Sequence, residues 1–307
     1  MTDGSATHTH SADADAGGDQ RSPAGLAIVI VNYNTGDYLE RCLASLEAHR
    51  GALELDVLVI DNASHDDSHR KAVAAHPWVR LIENPRNVYL SPAWNQGIRA
   101  TSSPHVLLLN PDVEWWRGTL ADYLAVARRT PRAGIVGPVV RNPDGTVYPS
   151  GRPFPSVVDA VGHGFLGALW PRNRFTRRYH QQGWDRTTER EVDWVSGACM
   201  LVPRAAFDEV GLLDEDFLLY GEELDFATRL HHAGWSVVFT PEIEILHAIG
   251  VSTGRSRRTL LMHSDSIYRY YRKHRAVGWR RATLPLARLV LRLRAETEWL
   301  RGRAWSR

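Results

Sequence analysis

Three parts of this chain carry side chains whose types and positions could support chemistry. The apolar run at residues 106–112 (VLLLNPD) ends in Asn-Pro-Asp, residues 220–225 (YGEELD) form an acidic cluster, and the strand-like run EIEILH ends in His247. A buried parallel strand that ends in a carboxylate delivers it to the sheet edge where ligands bind. Two carboxylate sites and a histidine would suit a metal-assisted reaction on a phosphorylated substrate.

Alternating strands and helices must position these groups. Apolar runs predict four buried strands, at residues 26–32, 55–61, 79–84 and 105–112. Between the first two, four apolar residues recur at helical spacing and predict one buried helix face: Leu39, Cys42, Leu43 and Leu46. Strands that alternate with helices predict an α/β fold with a mostly parallel central sheet flanked by helices.

Polar residues recur where the predicted strands end. Each of the four strands is followed by Asn or Asp residues, namely Asn32 and Asn34, Asp61 and Asn62, Asn84 and Asn87, and Asn110 and Asp112. In an open α/β sheet the carboxyl ends of the strands form the ligand crevice, although Asn and Asp also favour turns in their own right. The chain has no G-x-G-x-x-G after the first strand and no P-loop motif, which disfavours dinucleotide binding and P-loop chemistry.

Further helices and strands are predicted besides these four strands and the first helix. Ser91 followed by Pro92 predicts an N-cap and the first residue of a helix. Residues 222–232 predict another helix, with Gly234 just past its end. WSVVFTP and EIEILH predict two successive strands, and the region beyond them predicts helices.

The composition excludes several classes of protein. The chain has 307 residues, of which 43% are hydrophobic, and a net charge of only +2, which argues against a nucleic-acid binder. No run approaches the roughly 18 apolar residues of a membrane span.

Cys42 and Cys199 lie far apart and predict free thiols in a reducing compartment. Residues 1–25 are small and polar and lack the apolar region of a signal peptide, which predicts a disordered tail on a cytoplasmic protein.

The basic C-terminal region leaves two interpretations open. Leu286, Leu289, Val290 and Leu293 share one helical face that arginines punctuate. A basic amphipathic helix with flanking Trp is typical of a membrane-surface segment, which would place the protein peripherally at the inner face of the plasma membrane. The alternative is a helix that packs on the preceding domain and exposes a solvated arginine face. Nucleic-acid binding is the least favoured interpretation.

Seven segments together resemble the inverting family 2 glycosyltransferases, which have the GT-A fold. They are NYNTGDYLERCLASL, VLVIDNASHDDS, NVYLSPAWNQGIRAT, LLLNPDV, WVSGACMLVPRAAFDEVGLLDEDF, YGEELDFATRLHHAG and LHAIGVST. The resemblance covers about residues 26–255 and divides the chain into a disordered tail (1–25), a GT-A domain (26–255) and a basic helical C-terminal region (256–307). Its middle segment, which includes PRAGIVGPVVRNPDGTVYPSGR, most resembles the rhamnosyltransferases that act on polyprenyl-diphosphate-linked GlcNAc in actinobacterial cell walls.

The resemblance implies transfer of a sugar from a nucleotide-sugar donor to a lipid-linked or glycan acceptor, with dTDP-L-rhamnose as the expected donor. One alternative within this class is another nucleotide sugar, such as a UDP-hexose or a furanose donor, used for an exopolysaccharide. An alternative from another class is a non-catalytic protein that binds a nucleotide sugar or a membrane surface. The acidic cluster at residues 220–225 favours an enzyme, because its loss would have been expected in a binding module.

A divalent cation, Mg²⁺ or Mn²⁺, is implied at Asp112, where the D-x-D motif of the family ends. His247 matches the histidine that supplies a second metal or diphosphate contact in related enzymes. The first acidic position is here Asn110, so the motif reads N-P-D. One carboxylate binds a metal more weakly than two, but Mg²⁺ can be held by one or two carboxylates together with phosphates and waters.

Glu222 and Glu223 match the E-D pair of the family, whose second member is usually the catalytic base. Glu223 is therefore the predicted base, with Glu222 or Asp225 in reserve. A base must remove a proton from the acceptor hydroxyl, and the backbone N–H groups of a helix N-terminus would keep such a carboxylate ionised. Acidic residues also favour the first turn of any helix. This preference readily explains one acidic residue at that position, but it explains three of them poorly.

The same resemblance predicts the residues that line the sugar-nucleotide pocket. Those expected to bind the nucleotide sugar are Asn34, Asp61, Asn87, Asn95, Asn110 and Asp112. Those expected between donor and acceptor are Trp194, Ser196 and Gly197. For two of these residues a structural role is as well supported as a ligand contact. Asn95 could form a hydrogen bond that packs its helix, and Trp194 could belong to the hydrophobic core.

Overall fold

The computed structural model describes residues 25–154, 184–248 and 256–305. Most of the predicted disordered tail at residues 1–25 lies outside the described residues. The stretch at 155–183 and the IGVST end of the LHAIGVST motif also lie outside them.

One mixed sheet organises the described residues. Its strands are β1 (Leu26–Asn32), β2 (Leu55–Asp61), β3 (Val79–Glu83), β4 (His105–Leu109), β5 (Val113–Arg117), β6 (Ala133–Arg141), β7 (Val147–Tyr148), β8 (Arg190–Val192), β9 (Cys199–Pro203) and β10 (Ser236–His247). They lie in the order β3-β2-β1-β4-β9-β6-β10-β5, with β7 beside β6 and β8 beside β10.

The first four strands of this order follow the prediction. β1 pairs in parallel with β2 and with β4, and β2 pairs in parallel with β3. The register sets Asn32 opposite Asp61, so two of the predicted polar strand ends are neighbours. β9 then inserts antiparallel between β4 and β6, while β6 and β10 pair in parallel again. The predicted parallel ladder is therefore confirmed, and β9 makes the sheet mixed.

Helices cover both faces of the sheet because both faces of its strands are apolar. Along β1, Leu26, Ile28 and Ile30 belong to one buried cluster, and the alternate residues belong to the other. Such continuous burial is expected of strands that are covered on both sides. The helices are α1 (Tyr38–His49), α2 (Ser68–Ala75), α3 (Leu90–Arg99), α4 (Leu120–Arg129), α5 (Arg204–Val210), α6 (Glu222–His232), α7 (Arg257–Tyr270) and α8 (Leu284–Trp305).

Helix prediction was confirmed in two places and wrong in one. The predicted face of α1 is the buried one, and α6 has the predicted bounds. The predicted N-cap at Ser91 is wrong, because α3 begins at Leu90 after Tyr89, whose φ is 68°. Ser91 is fully buried, and its hydroxyl donates to the carbonyl of Phe217 at 2.6 Å instead of capping the helix. Pro92 remains in the first turn, where a missing N–H costs little.

The two strands predicted around Pro241 form the single strand β10. Its pairing with β6 shifts register between Thr240 and Glu244, where Pro241 lacks the N–H that a regular ladder needs. The irregularity lets one strand serve two neighbours, since its first half pairs with β8 and its second half with β5. This continuity carries His247 to the same sheet edge as Asp112.

The C-terminal region is helical, as predicted. A π-helical turn (Tyr271–Arg275) and a 3₁₀ helix (Gly278–Thr283) join α7 to α8. The two helices pack against each other through one face of α8, where Ala295 is buried and the Leu291 carbonyl accepts a hydrogen bond from Ser264. Within the described residues, none of the helices is long and apolar enough to cross a membrane.

Both cysteines match their prediction. Cys42 on α1 and Cys199 on β9 are free and fully buried. Burial raises the pKa of the Cys42 thiol well above its usual range, and the nearby charge of Asp112 raises it further. Burial likewise raises the pKa of Cys199, to about 12. Both side chains are therefore neutral thiols that pack as small apolar groups.

Candidate active site

The ends of β4 and β10 bring the predicted metal ligands together. Asp112 follows β4, and the pairing of β10 with β5 sets His247 opposite Val113. Both side chains are buried, and His247 Nε2 lies 3.2 Å from Asp112 Oδ1. The amide nitrogen of Asn110, 137 positions before His247 in the sequence, lies 3.4 Å from the same histidine nitrogen. The fold therefore places the three residues in contact.

This arrangement fits a divalent cation that has few protein ligands. Two adjacent ligands of an octahedral Mg²⁺, each at about 2.1 Å, would be about 3.0 Å apart, and Asp112 Oδ1 and His247 Nε2 are 3.2 Å apart. Within the described residues, no group of three or more His, Cys, Asp or Glu side chains is placed to hold a metal. Water and a bound diphosphate would have to complete the shell. The imidazole suits Mn²⁺ better than Mg²⁺.

The acidic cluster forms the first turn of α6. Gly221 precedes the helix with a φ of 84°, a conformation that glycine adopts at little cost. The backbone N–H of Gly221 donates to Glu223 Oε2 at 3.1 Å. Glu222 is only 3% exposed, whereas Glu223 is half-buried. Glu223 is therefore the member of the pair that a substrate hydroxyl can reach more easily.

The two glutamates hold protons more tightly than isolated carboxyl groups do. Burial raises the pKa of Glu222 well above its usual range, and the charge of Glu223 adds to this effect. Burial also raises the pKa of Glu223, although backbone N–H groups at the helix start and the charge of Arg152 act in the opposite direction. A carboxylate with a raised pKa is the better proton acceptor, because general-base catalysis improves as the pKa of the base approaches the working pH.

Gly197 lines the space in front of this pair. A Cβ at this position would lie 3.7–3.8 Å from the side chains of Trp94, Glu222 and Glu223. Gly197 is itself partly exposed, so its loop lies at the surface beside the predicted base and the buried indole of Trp94. The backbone N–H of the neighbouring Ser196 donates a hydrogen bond to Ser150 Oγ at 3.3 Å, which holds this residue in position.

Arg152 is a site residue that sequence reasoning did not single out. Its guanidinium lies 5.3 Å from the ring centre of Trp194 and 5.1 Å from that of Tyr148. The Trp194 indole N–H donates to the carbonyl of Pro153 at 3.0 Å, so the half-buried Trp194 supports Arg152. The arginine charge then acts on Glu223. A single arginine in a Gly/Pro-rich stretch has no spacing that would have identified it beforehand.

Asp225 is engaged in a way that does not suit the reserve base. It is fully buried, and its carboxylate accepts Arg229 Nε at 2.9 Å and both Lys273 Nζ and His274 Nε2 at 2.7 Å. Burial opposes the ionised form, but these donors together lower the pKa of Asp225 to about 2. A carboxylate stabilised by several cationic donors is a poor proton acceptor. Its contacts instead hold the C-terminal helices on α6.

We expect Asp225→Asn to destabilise the protein, because the amide would remove the carboxylate that pairs with Arg229 and one of the two carboxylates that pair with Lys273. Breaking a buried ion pair typically costs about 3–5 kcal/mol, and the partial exposure of Lys273 should reduce this to about 2–3 kcal/mol. Chemical denaturation at about pH 7 would measure the loss. Asp214→Asn, which removes the other carboxylate partner of Lys273, is the matched control and should cost less.

The pH dependence of that difference has a definite sign. Because the pKa of Asp225 is lowered to about 2, its stabilisation is present above the unfolded pKa of about 3.9 and is lost as the pH falls through the folded value. The gap between wild type and Asp225→Asn should therefore close in strong acid. A gap that is absent at neutral pH would contradict the structural role of this carboxylate.

The ends of β1 and β2 form an ordered polar edge. Asp61 Oδ1 accepts Asn32 Nδ2 at 2.8 Å and the Ser64 hydroxyl at 2.6 Å, and Asp61 Oδ2 accepts the Ser64 N–H at 2.9 Å. Asn34, with a φ of 51°, accepts the backbone N–H of His65 at 2.8 Å. Asp61 is only 1% exposed, so a nucleobase could reach its carboxylate only if the polar groups around it moved.

Asn87 and Asn95 differ in what their contacts allow. Asn87 Oδ1 accepts the N–H of Tyr89 at 2.8 Å and orders the turn before α3. Asn95 is buried, donates to the carbonyl of Leu213 at 2.8 Å and to Glu215 at 2.9 Å, and accepts the Leu213 N–H at 3.1 Å. Both of its N–H groups are thus used inside the protein. These contacts favour helix packing over the predicted nucleotide contact.

Comparison with known sequences finds a matching family and several relatives. Residues 27–211 match glycosyl transferase family 2. An N-acetylglucosaminyl-diphospho-decaprenol L-rhamnosyltransferase of Mycobacterium tuberculosis (strain ATCC 25618 / H37Rv) is 40% identical over 273 residues, and the alignment covers 84% of this chain and 87% of that protein.

Two solved structures share the fold. The mannosyltransferase PcManGT from Pyrobaculum calidifontis, in complex with GDP-Man and Mn²⁺, has a TM-score of 0.56 and 17% identity, and the match covers 92% of this chain and 76% of that one. GalNAc-T7 with UDP, GalNAc and Mn²⁺ has a TM-score of 0.56 and 15% identity, with coverage of 80% of this chain and 48% of that one. The predicted GT-A fold is therefore confirmed.

Proposed function

The chain belongs to glycosyl transferase family 2, and from this membership we propose that it is an inverting rhamnosyltransferase. Its donor would be dTDP-L-rhamnose and its acceptor polyprenyl-diphosphate-linked GlcNAc, in the synthesis of a cell-envelope polysaccharide. The observation that carries this proposal is 40% identity to a mycobacterial enzyme of that activity across most of both chains. The contact between Asp112 and His247 and the carboxyl pair on α6 supply the groups that the reaction needs.

In the proposed reaction Glu223 is the catalytic base. Its carboxylate takes the proton of an acceptor hydroxyl as that oxygen attacks the anomeric carbon of the donor. The bond from this carbon to the diphosphate oxygen breaks on the opposite face, and the nucleoside diphosphate leaves with the electron pair. The configuration inverts, so a β-L-rhamnosyl donor gives an α-L-rhamnoside. The half-buried position of Glu223 behind the open Gly197 loop supports this role.

Asp112 and His247 would hold a divalent cation beside the diphosphate, with Asn110 next to them. Such a cation, when bound, neutralises charge that builds on the leaving group. The approach of Asp112 to His247 supports this assignment. Further support comes from the Mn²⁺ present in both solved structures that share the fold. Asn34, Asp61 and Asn87 would shape the edge that receives the nucleotide.

A transfer assay tests the proposal. The purified protein would be incubated with radiolabelled dTDP-L-rhamnose and membranes that contain polyprenyl-diphosphate-linked GlcNAc, and label would be followed into the lipid fraction. We expect transfer that requires a divalent cation. Label entering lipid only from a UDP-sugar would instead assign a hexose or furanose donor. The absence of any thermal stabilisation by dTDP, UDP or GDP would favour a non-catalytic protein.

We further propose two functional parts, a catalytic domain at residues 26–255 and a C-terminal region at 256–307 that faces the membrane. Leu286, Leu289 and Leu293 are 63%, 55% and 56% exposed, although α8 packs on α7 through its other face. Exposed arginines border this apolar stripe, including Arg288 and Arg292. Apolar side chains between arginines suit the interface of an anionic bilayer. The protein would then be cytoplasmic and peripheral at the inner face of the plasma membrane, where a lipid-linked acceptor lies.

We expect the protein to bind vesicles that contain anionic phospholipid and to bind neutral vesicles weakly. Replacing both Leu289 and Leu293 with Asn should lower the partition coefficient at least about tenfold, since burying a leucine in an apolar phase is worth about 1.5–3 kcal/mol. Co-sedimentation with phosphatidylglycerol and phosphatidylcholine vesicles measures this. Trp116→Asn, which removes another exposed apolar side chain from β5, is the control and should bind like wild type. Equal binding by all three proteins would reject this surface.

A further inference from the structure

Glu222 has an oxygen atom whose environment its sequence motif does not explain. Its Oε2 atom is buried, and within the described residues no N–H or hydroxyl group donates a hydrogen bond to it. An ionised carboxylate oxygen in that position would carry a large desolvation penalty, whereas a neutral carboxylic acid loses much less on burial. The environment of this oxygen therefore favours the neutral form of Glu222.

The neighbours of the pair indicate where the proton lies. The interaction between the two side chains raises the pKa of Glu222 and lowers that of Glu223, and a hydrogen bond between two carboxyl groups requires a proton on one of them. Glu223 accepts the Gly221 N–H and feels the positive charge of Arg152, both of which favour its ionised form. Glu222 has the more buried side chain of the two. The proton therefore belongs on Glu222.

The other charged groups near the start of α6 do not reverse this distribution. Asp225 is the next acidic residue along the helix, and its charge is balanced by Arg229 and Lys273. The Gly197 loop that faces the glutamates carries no charge of its own at residues 194–200. Arg152 remains the cation that acts on the pair, and it acts on Glu223.

We propose that Glu222 is a positioning residue, a neutral carboxylic acid that donates its proton in a hydrogen bond to Glu223 and thereby orients that carboxylate beside the Gly197 loop. The inference rests on the proposed function, in which Glu223 is the base. Glu222 keeps its own proton throughout, and the proton of the acceptor goes to Glu223. Two adjacent acidic residues then have different tasks, because only one of them changes its protonation state in the reaction.

Two substitutions of similar size separate this role from the others. Glu222→Gln is neutral and keeps an N–H donor for Glu223, so we expect a kcat within about threefold of wild type. Glu222→Leu fills a similar volume without a donor and should lower kcat about 10- to 100-fold, as expected for losing a hydrogen bond to a charged group. The KM for dTDP-L-rhamnose should change little in either variant. Rescue by Gln but not by Leu is the expected result.

Stability provides the second readout. Because the pKa of Glu222 is raised in the folded protein, ionisation of this group opposes folding as the pH rises, and Glu222→Gln should have a Tm at least equal to that of wild type at about pH 8. If Glu222→Gln folds but loses as much kcat as Glu222→Leu, or if Glu222→Leu keeps full kcat, the positioning role is wrong. Failure of the proposed function would look different, since Glu223→Gln would then transfer sugar normally.

Discussion

Glu223→Gln should abolish sugar transfer while leaving the protein folded and able to bind its donor. The amide is isosteric with the carboxylate but cannot accept the proton of the acceptor hydroxyl. Loss of a general base costs about 10²–10⁴-fold in rate. We therefore expect kcat in the radiolabelled transfer assay to fall by at least about 100-fold. The Kd for dTDP-L-rhamnose, measured by calorimetry with a divalent cation, should stay within about threefold of wild type.

A matched control distinguishes the loss of the base from the loss of a negative charge. Glu54 is exposed and lies just before β2, away from the pocket. Glu54→Gln makes the same chemical change and should retain full activity. Turnover close to wild type in Glu223→Gln would reject Glu223 as the base and would reopen the choice between Glu222 and Asp225, of which Asp225 is already engaged by the side chains of Arg229, Lys273 and His274.

Asp112→Asn should have the second large effect, because it removes the one carboxylate from the proposed cation site. With Asn already at position 110, the variant would offer His247 and two amides, a weak ligand set for a hard divalent cation. Loss of electrostatic stabilisation of the leaving diphosphate should lower kcat/KM by about 100-fold or more, which corresponds to about 2.7 kcal/mol. Activity titrated against Mg²⁺ and Mn²⁺ measures the effect.

Direct binding of Mn²⁺ gives a readout that does not depend on turnover. Electron paramagnetic resonance of Mn²⁺ in the presence of dTDP should show binding by wild type and much weaker binding by Asp112→Asn. Asp208→Asn, which alters an exposed carboxylate on α5, should bind Mn²⁺ as wild type does. Equal Mn²⁺ binding by Asp112→Asn and wild type would exclude Asp112 as a ligand.

Much of the fold could be predicted because its signals are local. The predicted bounds of β1 and β2 match the observed strands, since strands buried on both faces read as continuous apolar runs. The α1 face is confirmed because four apolar residues at helical spacing can be buried together in only one way. The start of α3 could not be predicted from its residues, because the Ser91 hydroxyl bonds to Phe217, which is 126 positions away.

The order of the sheet was also beyond local reasoning. β9 lies between β4 and β6 and runs antiparallel to both. No apolar periodicity specifies which strand a distant segment will pair with, because the period of a strand determines its faces and not its neighbours. That insertion brings the Gly197 loop, which directly precedes β9, into the space beside Glu222 and Glu223.

The sequence by itself determined the α/β architecture and the family, and it supplied the residue types that a nucleotide-sugar transferase needs. These depend on periodicity and on short motifs, which are local properties. The tertiary structure alone decided how neighbouring acidic residues differ. Glu223 and Asp225 are separated by about 200° around the helix axis. Glu223 lies beside the Gly197 loop, while Asp225 contacts Lys273 and His274 of a later helical segment. Whether a carboxylate can act as a base or instead holds helices together through ion pairs depends on its neighbours in the fold. Those neighbours lie far away in the sequence.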